Sequence, residues 1–425
     1  MARIFADFGR LLGEDKNQAV SGELAQRITA LLERLSRGNY ILLLDNLESV
    51  QNGATGELLD ADLQLFFKMA VEQSGDLRII VTSREPLFLP ASTRTYERRL
   101  ELNEGLALED SIALLRRCDI DGNAGLRDAP DNLLRHIAEG TRGYPRALEA
   151  VVGLLVEDPF LTPENLVDET FPTSDEISEV LVAQALERLD DVSQRVMQIT
   201  AAFRVPVTLE DLERIAQPHL PPQSNLRHIL QRLIQMYFLN YDNITKQITI
   251  HPLDRDYCYG IIPTSEGDFN RQALHRDIAA LYKVEQAAGA VDVEPYLNEF
   301  NHLVRAESYV AAADLLLWLD SEHLARGNFH ADAADMYSRI VPHLTKSDLL
   351  RACLLGQGEA YRRIARLGDA MRCFEVAYEQ AQADSQVADI ALSLNSMGWA
   401  QYDLGHFELA VDFLGTGAEC FPRIG

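Results

Sequence analysis

Hydrophobic positions in the first third of the chain follow two rhythms in turn. Leu24, Ile28, Leu31, Leu32 and Leu35 recur at steps of three and four, which predicts an amphipathic helix. Arg37-Gly38 stops it, and Tyr40-Ile41-Leu42-Leu43-Leu44 follows without a polar break, predicting a strand covered on both faces of a parallel sheet. A second helix is expected around Asp60 to Gln73 and a turn at Ser74-Gly75-Asp76. Leu77-Arg78-Ile79-Ile80-Val81-Thr82 then reads as a second buried strand, and the alternation from Tyr96 to Leu102 suggests a third. Helix and strand in alternation build a layered α/β segment.

Beyond Gly143 this alternation ends. Amphipathic helices run to about Ala216, broken at Pro159, Pro163, Pro172 and Pro206. A helix from Asn225 to Leu239 is followed by two short alternating runs, Phe238 to Tyr241 and Gln247 to Ile250, which outline a winged helix. From about Arg271 the pattern is helical, rich in alanine and periodic. Gly358, Ala360, Ala370 and Phe374 recur as Gly398, Ala400, Ala410 and Leu414, the spacing of helix-turn-helix repeats in which small residues admit a close neighbour and large ones fill the gap between repeats. Weaker copies start near Tyr309 and Arg326. The chain stops at Gly425 just after the second helix of a repeat, so a polar capping helix is expected to be missing.

Composition narrows the class. A chain of 425 residues that is 47% hydrophobic and 24% charged reads as an ordinary globular protein of about three domains, and excludes disorder, collagen and coiled coil. The formal charge of -26 argues against nucleic acid and anionic membranes as partners. Five cysteines without a CxxC pair suit free thiols in a reducing compartment, and with no leader-like or spanning apolar run the expected location is cytoplasmic.

Four motifs in fixed order carry a resemblance. YILLLDNLESV (Tyr40 to Val50) ends a strand in Asp45, RIIVTSRE (Arg78 to Glu85) ends one in Thr82, Ser83 and Arg84, EGTRGYPRALEAVVGLL contains Gly143 and Pro145, and ITIHPLDRDYCYG contains His251. Singly, each has an ordinary structural reading: a strand end, a turn with proline opening a helix, a histidine satisfied in place. Together, and followed by the repeats, they resemble the signal-transducing NTPases of the STAND class, NB-ARC-like members with tetratricopeptide repeats.

The resemblance implies a partial P-loop-type α/β domain over 1–103, a small helical domain over 104–176, a winged helix over 177–265 and a tetratricopeptide array over 266–425. It implies that Asp45 is the Walker B acid holding magnesium through water and that Asn46 stands beside it. Thr82, Ser83 and Arg84 would face the terminal phosphate of ATP. Gly143 and Pro145 would lie near base and sugar, and His251 would touch the β-phosphate of ADP. Glu48 is a weak candidate for a hydrolytic base.

Departures weigh against nucleotide chemistry in this chain. No GxxxxGK[ST] loop occurs, and it normally supplies most phosphate contacts. The sequence therefore reads as beginning inside the NTPase domain, after its first strand and loop, with RIFADFGRLL (residues 3–12) as a helix that follows them. Asn46 replaces a second acid and cannot take a proton, and Pro252 follows His251 where many relatives carry Asp.

Two functions are expected. The first is an ADP-locked, ATP-opened switch whose repeats sense a protein or peptide and which can form a homo-oligomer when active, this chain binding little or no nucleotide. The alternative is a nucleotide-independent repeat scaffold with a vestigial NTPase domain. A DNA-reading winged helix would offer only Arg227, His228 and Arg232 from the helix around 224–239. No HExxH, GxSxG or paired Cys/His spacing points to other catalysis.

Overall fold

Short runs of Ile, Leu and Val form two strands, and the polar residues flanking them decide where each ends. In the computed structural model, the residues described are 24–38, 40–45, 47–52, 55–72, 77–83, 87–88, 97–100, 102, 104–158, 160–168, 177–287, 293–327 and 329–420. The chain divides into two compact units, Met1–Arg99 with Tyr282–Gly425, and Leu100–Leu281.

In the first unit, helix α1 (Leu24–Ser36) buries the predicted stripe Ile28, Leu31, Leu32 and Leu35. Strand β1 (Ile41–Leu44), helix α2 (Ala61–Glu72) and strand β2 (Arg78–Val81) follow. The carboxylate of Asp60 accepts from the backbone N–H groups of Asp62 at 2.8 Å and Leu63 at 3.0 Å, a cap that sets where α2 begins. β1 and β2 pair in parallel from Ile41 beside Arg78 to Leu44 beside Val81.

Two expectations fail here. The strands are not covered on both faces: Leu42 is buried, whereas Ile41 is 63% and Leu43 59% exposed. Successive side chains alternate across a strand, and among the described residues only one face of this two-stranded sheet is covered. The third strand is absent over residues 97–100, the described core of Tyr96 to Leu102. The helix expected at residues 3–12 lies outside the described residues.

The first unit also holds helices α13 (Glu294–Arg305), α14 (Tyr309–Leu319), α15 (His330–Ile340), α16 (Ser347–Arg363), α17 (Leu367–Ala383), α18 (Val387–Asp403) and α19 (Phe407–Cys420). Their period is physical as well as sequential. A Cβ on Gly358 would sit 2.3 Å from the Phe374 ring and one on Gly398 2.7 Å from Leu414, so the glycines let α16 meet α17 and α18 meet α19. Phe374 thus fills a gap within its own helix pair, and also clusters with Leu394, Met397 and Ala400 of the next helix. The turns repeat too. Ala365 and Gly405 both have positive φ, while Arg366 N–H donates to Tyr361 and His406 N–H to Gln401, each at 2.9 Å, the six-to-one closure that ends a helix in a left-handed residue.

The second unit contains α3 (Leu108–Cys118), α4 (Asp131–Gly140), α5 (Pro145–Glu157), α6 (Pro163–Asp168), α7 (Ile177–Glu187), α8 (Asp191–Phe203), β3 (Val207–Thr208), α9 (Leu209–Ala216), α10 (Leu226–Gln235), β4 (Leu239–Tyr241), β5 (Gln247–Ile250) and α11 (Pro252–Gly260). Helix α12 (Arg271–Ala287) then leads toward the repeats. The expected helix and hairpin are present as α10 and β4–β5. The helix stops at Gln235, short of the predicted Leu239, and β3 adds a third strand in the antiparallel order β3-β5-β4 where the pattern predicted only helix.

Candidate functional site

The parallel register brings the ends of β1 and β2 side by side and carries Asp45 and Thr82 to the carboxyl edge of the sheet. That edge is where open α/β sheets gather ligands. Thr82 N–H donates to Leu44 O and Leu47 N–H to Thr82 O, each at 3.0 Å, extending the ladder past the last paired residues. The Thr82 hydroxyl donates to the exposed carboxylate of Asp45. The Ser83 hydroxyl donates to Gln51 Oε1 at 2.6 Å, and Gln51, itself buried, donates to Gly56 O at 3.3 Å. Asp45, Thr82 and Ser83 are thus gathered on one edge, with Gln51 as a support that sequence reasoning missed. Glu48 lies in a short 3-10 helix, Leu47–Val50, but its side chain lies outside the described residues, as do Asn46 and Arg84.

Gly143, Pro145 and His251 belong to the second unit. Helix α4 ends in two left-handed residues, Arg142 at φ 52° and Gly143 at φ 68°. Gly143 N–H donates to Ala138 O at 2.9 Å, and its carbonyl accepts from Leu106 N–H at 2.8 Å. A Cβ there would fall 2.4 Å from Leu106 O, so conformation and close approach both demand glycine. Pro145 occupies the first turn of α5, where its fixed φ and missing N–H cost nothing. His251 caps α11, its Nδ1 accepting from Leu253 N–H at 3.2 Å. All three positions therefore have a local structural cause.

Close to Pro145 and His251 in the chain stand two residues that the motifs did not single out, Arg146 and Asp254. Arg146 turns inward, with Nε donating to Asp254 Oδ1 at 3.0 Å and Nη2 to Asp254 Oδ2. Its Nη1 donates to Glu149 at 3.1 Å and to Tyr237 O at 3.0 Å. Arg146 is 7% exposed and Asp254 fully buried. Burial pushes the Asp254 carboxyl up to about 6, with Arg146 opposing the shift. This fork joins the first turn of α5 to the first turn of α11. The available signal was an arginine opening the apolar run Ala147 to Leu155, where a charge needs a partner.

The two arginines of α10 are already engaged: Arg227 with Glu213, and Arg232 with Glu157 and Asp190. Phosphate contacts would have to displace those carboxylates.

Does the strand edge fit magnesium and a nucleotide? Among the described residues it supplies one carboxylate, already bonded by Thr82, and two hydroxyls, while the sequence contains no GxxxxGK[ST] loop to cradle phosphates. Among the described residues no group of three His, Cys, Asp or Glu is arranged to hold a metal ion. The described residues of this edge do not by themselves make a nucleotide site. The five cysteines are free, and no described helix is long and apolar enough to cross a membrane.

The fold defines a class: a mostly helical chain that joins a small parallel strand pair to an array of helix pairs. A solved structure similar to it is the Signal Transduction ATPase with Numerous Domains (STAND) protein with a tetratricopeptide repeat sensor from Pyrococcus horikoshii, at a TM-score of 0.50 and 12% identity. The match covers 94% of this chain and 58% of that one, so this chain spans less than two thirds of its neighbour, and the likeness is one of fold. No protein-family model and no curated protein matches the sequence.

Proposed function

We propose that this chain is the sensing and relay part of a signal-transduction machine on the STAND plan. Its helical repeats capture a protein or peptide, and the α/β, small helical and winged-helix parts pass that event on. The observation that carries this reading is the likeness in fold to a STAND protein with a repeat sensor over 94% of the chain.

In this reading Asp45, Asn46, Thr82, Ser83 and Arg84 form the nucleotide-facing edge of the plan, and Gly143, Pro145 and His251 its ADP-facing side. Lacking the phosphate loop, the chain binds ATP or ADP weakly or not at all and hydrolyses negligible ATP. Magnesium has no site without the phosphates. Homo-oligomerisation belongs to the active state.

The same missing loop favours a second reading, a nucleotide-independent scaffold in which the repeats bind and nothing is relayed. Two measurements on the full chain separate them. Calorimetric titration with MgATP and MgADP is expected to give no heat, and micromolar binding would overturn nucleotide incompetence. Hydrogen exchange of residues 41–45 and 78–82, measured with and without a peptide held by the repeats, is expected to change; unchanged exchange in a chain that binds the peptide leaves the scaffold.

A further inference from the structure

Helix α14 does not end in an ordinary turn. Ala325 N–H donates to the carbonyl of Asp320 at 2.9 Å, a bond of i to i+5 that widens residues Asp320–Leu324 into a π-helix. Such widenings recur at functional sites because they push a side chain out of register. Beside this one lies a cavity of about 240 Å³, lined by Asp320, Ala325, His330, Glu359, Ala360 and Arg363. Three elements contribute: the π-turn, the start of α15 and the end of α16.

Acids outnumber cations around this cavity, because Arg362 and Arg363 stand against Glu359, Asp320 and Asp403, the last paired with Arg362. Glu359 is held by Arg362, at 2.8 Å, and by Arg363, at 2.7 Å, so the arginine on the wall already has its carboxylate. Burial, with Arg363 and Arg362 nearby, lowers the His330 pKa, and Glu359 opposes the shift. Asp320 receives only a hydroxyl, from Tyr337 at 3.0 Å, and has no cation within ion-pair distance among the described residues. Burial and Glu359 both disfavour its charge. Tyr337 is fixed in that role, since it is buried and fits against α16 only because position 356 is glycine, where a Cβ would meet the Tyr337 hydroxyl oxygen at 2.5 Å.

We propose that this cavity takes the cationic side chain, lysine or arginine, of a partner peptide, with Asp320 as its counter-ion and Ala325 and Ala360 against the aliphatic stem. An anion would meet a neutralised arginine and an unpaired carboxylate. A metal ion would find one carboxylate and a hydroxyl. At about 240 Å³ the space is below the range of roughly 300–1,000 Å³ typical of small-molecule sites, and it suits one extended side chain. Long cationic side chains bury their stems readily while the charged head is bonded. The strongly acidic chain, at -26, draws such a ligand in.

This inference rests on the reading of the helical repeats as a ligand-binding array, and the experiment separates the two. On the full chain, saturation-transfer NMR with N-acetyl-lysine amide, N-acetyl-arginine amide and N-acetyl-glutamate amide is expected to give signal for the two cations only. Asp320→Asn, which keeps a partner for Tyr337, is expected to weaken binding about tenfold. Ala325→Leu, at an exposed position, narrows the cavity and should do the same, while Asp348→Asn on the outside of α16 leaves binding intact. Equal signal from the glutamate probe, or cation binding unchanged in both cavity variants, overturns the assignment. Basic, neutral and acidic dodecapeptides then decide the rest. An acidic or neutral peptide that binds regardless of Asp320 removes this cavity and leaves the array reading standing, whereas failure of all three removes both.

Discussion

Asp45 and Asp254 both stand in motifs that the sequence marks, yet the chain treats them in opposite ways. Asp45 ends a strand, faces solvent and keeps one hydroxyl partner. Asp254 is fully buried in the first turn of α11 and forked by Arg146. An exposed carboxylate keeps its hydration, so it can hold its place without being needed for folding. A buried one is tolerable only while its partner is present, because attraction offsets desolvation only when the geometry is complete. The second unit therefore depends on its charges in a way that the strand edge does not.

The largest effect expected from this contrast is at Arg146. Arg146→Met removes the cation at similar bulk, leaves Asp254 beside Glu149 in an apolar setting, and should cost about 3–5 kcal/mol at neutral pH in urea unfolding. Replacing both residues, as Arg146→Met with Asp254→Leu, should recover most of that loss, since an apolar pair has nothing left to desolvate. The pH dependence has a definite sign. A carboxyl whose folded value lies above its ordinary one contributes stability in acid and loses it as pH rises through the folded value, here about 6. Without Arg146 the Asp254 carboxyl rises further, so the penalty of the single variant should grow from pH 5 to pH 8 and shrink on acidification. A penalty that is flat over that range would place the cost in packing instead.

A smaller effect separates close approach from backbone strain. Gly143 and Gly405 share a left-handed backbone, at φ 68° and 81°, but a Cβ at 143 would strike Leu106 O at 2.4 Å while one at 405 meets nothing within 4 Å. Gly405→Ala should therefore cost about 1 kcal/mol, the conformational term alone, and Gly143→Ala at least about 2–3 kcal/mol. Equal costs would mean that the turn into α5 relaxes and that the crowding near Arg146 is slack.

These contrasts also mark what the sequence could reveal. The stripe of α1, the apolar runs of β1 and β2 and the recurrence of Gly358 and Phe374 as Gly398 and Leu414 were legible because each is a local or periodic pattern; that Phe374 packs against Gly358 of its own pair, and not only between repeats, was not. The exposure of Ile41 and Leu43 was not, because apolar identity states what a strand would bury and not whether the chain supplies a cover. Likewise Arg146 and Asp254 lie 108 residues apart, and no spacing rule joins them. That Asp45, Thr82 and Ser83 follow the two strand ends could be read from the sequence, whereas Gln51, which bonds Ser83, was silent because a buried glutamine has no pattern of its own. Gly143, Pro145 and His251 were legible as motif members, and each proved to have a capping or turn role that a motif cannot distinguish from ligand binding.

The smallest expected effect tests the open side of the comparison. Thr82→Val keeps the β-branched shape at the end of β2 and deletes the hydroxyl that reaches Asp45. Because Asp45 is exposed, water replaces the lost donor, and the cost should stay within about 0.5–1 kcal/mol, a small shift in urea midpoint. Asp45→Asn should cost as little, and the double variant no more than the sum, since an exposed pair has little coupling to lose. A loss near that of Arg146→Met would mean that the carboxyl edge of the strand pair is a closed structural element. The contrast between a dispensable exposed acid and an indispensable buried one would then collapse, and with it the freedom of that edge to meet a ligand.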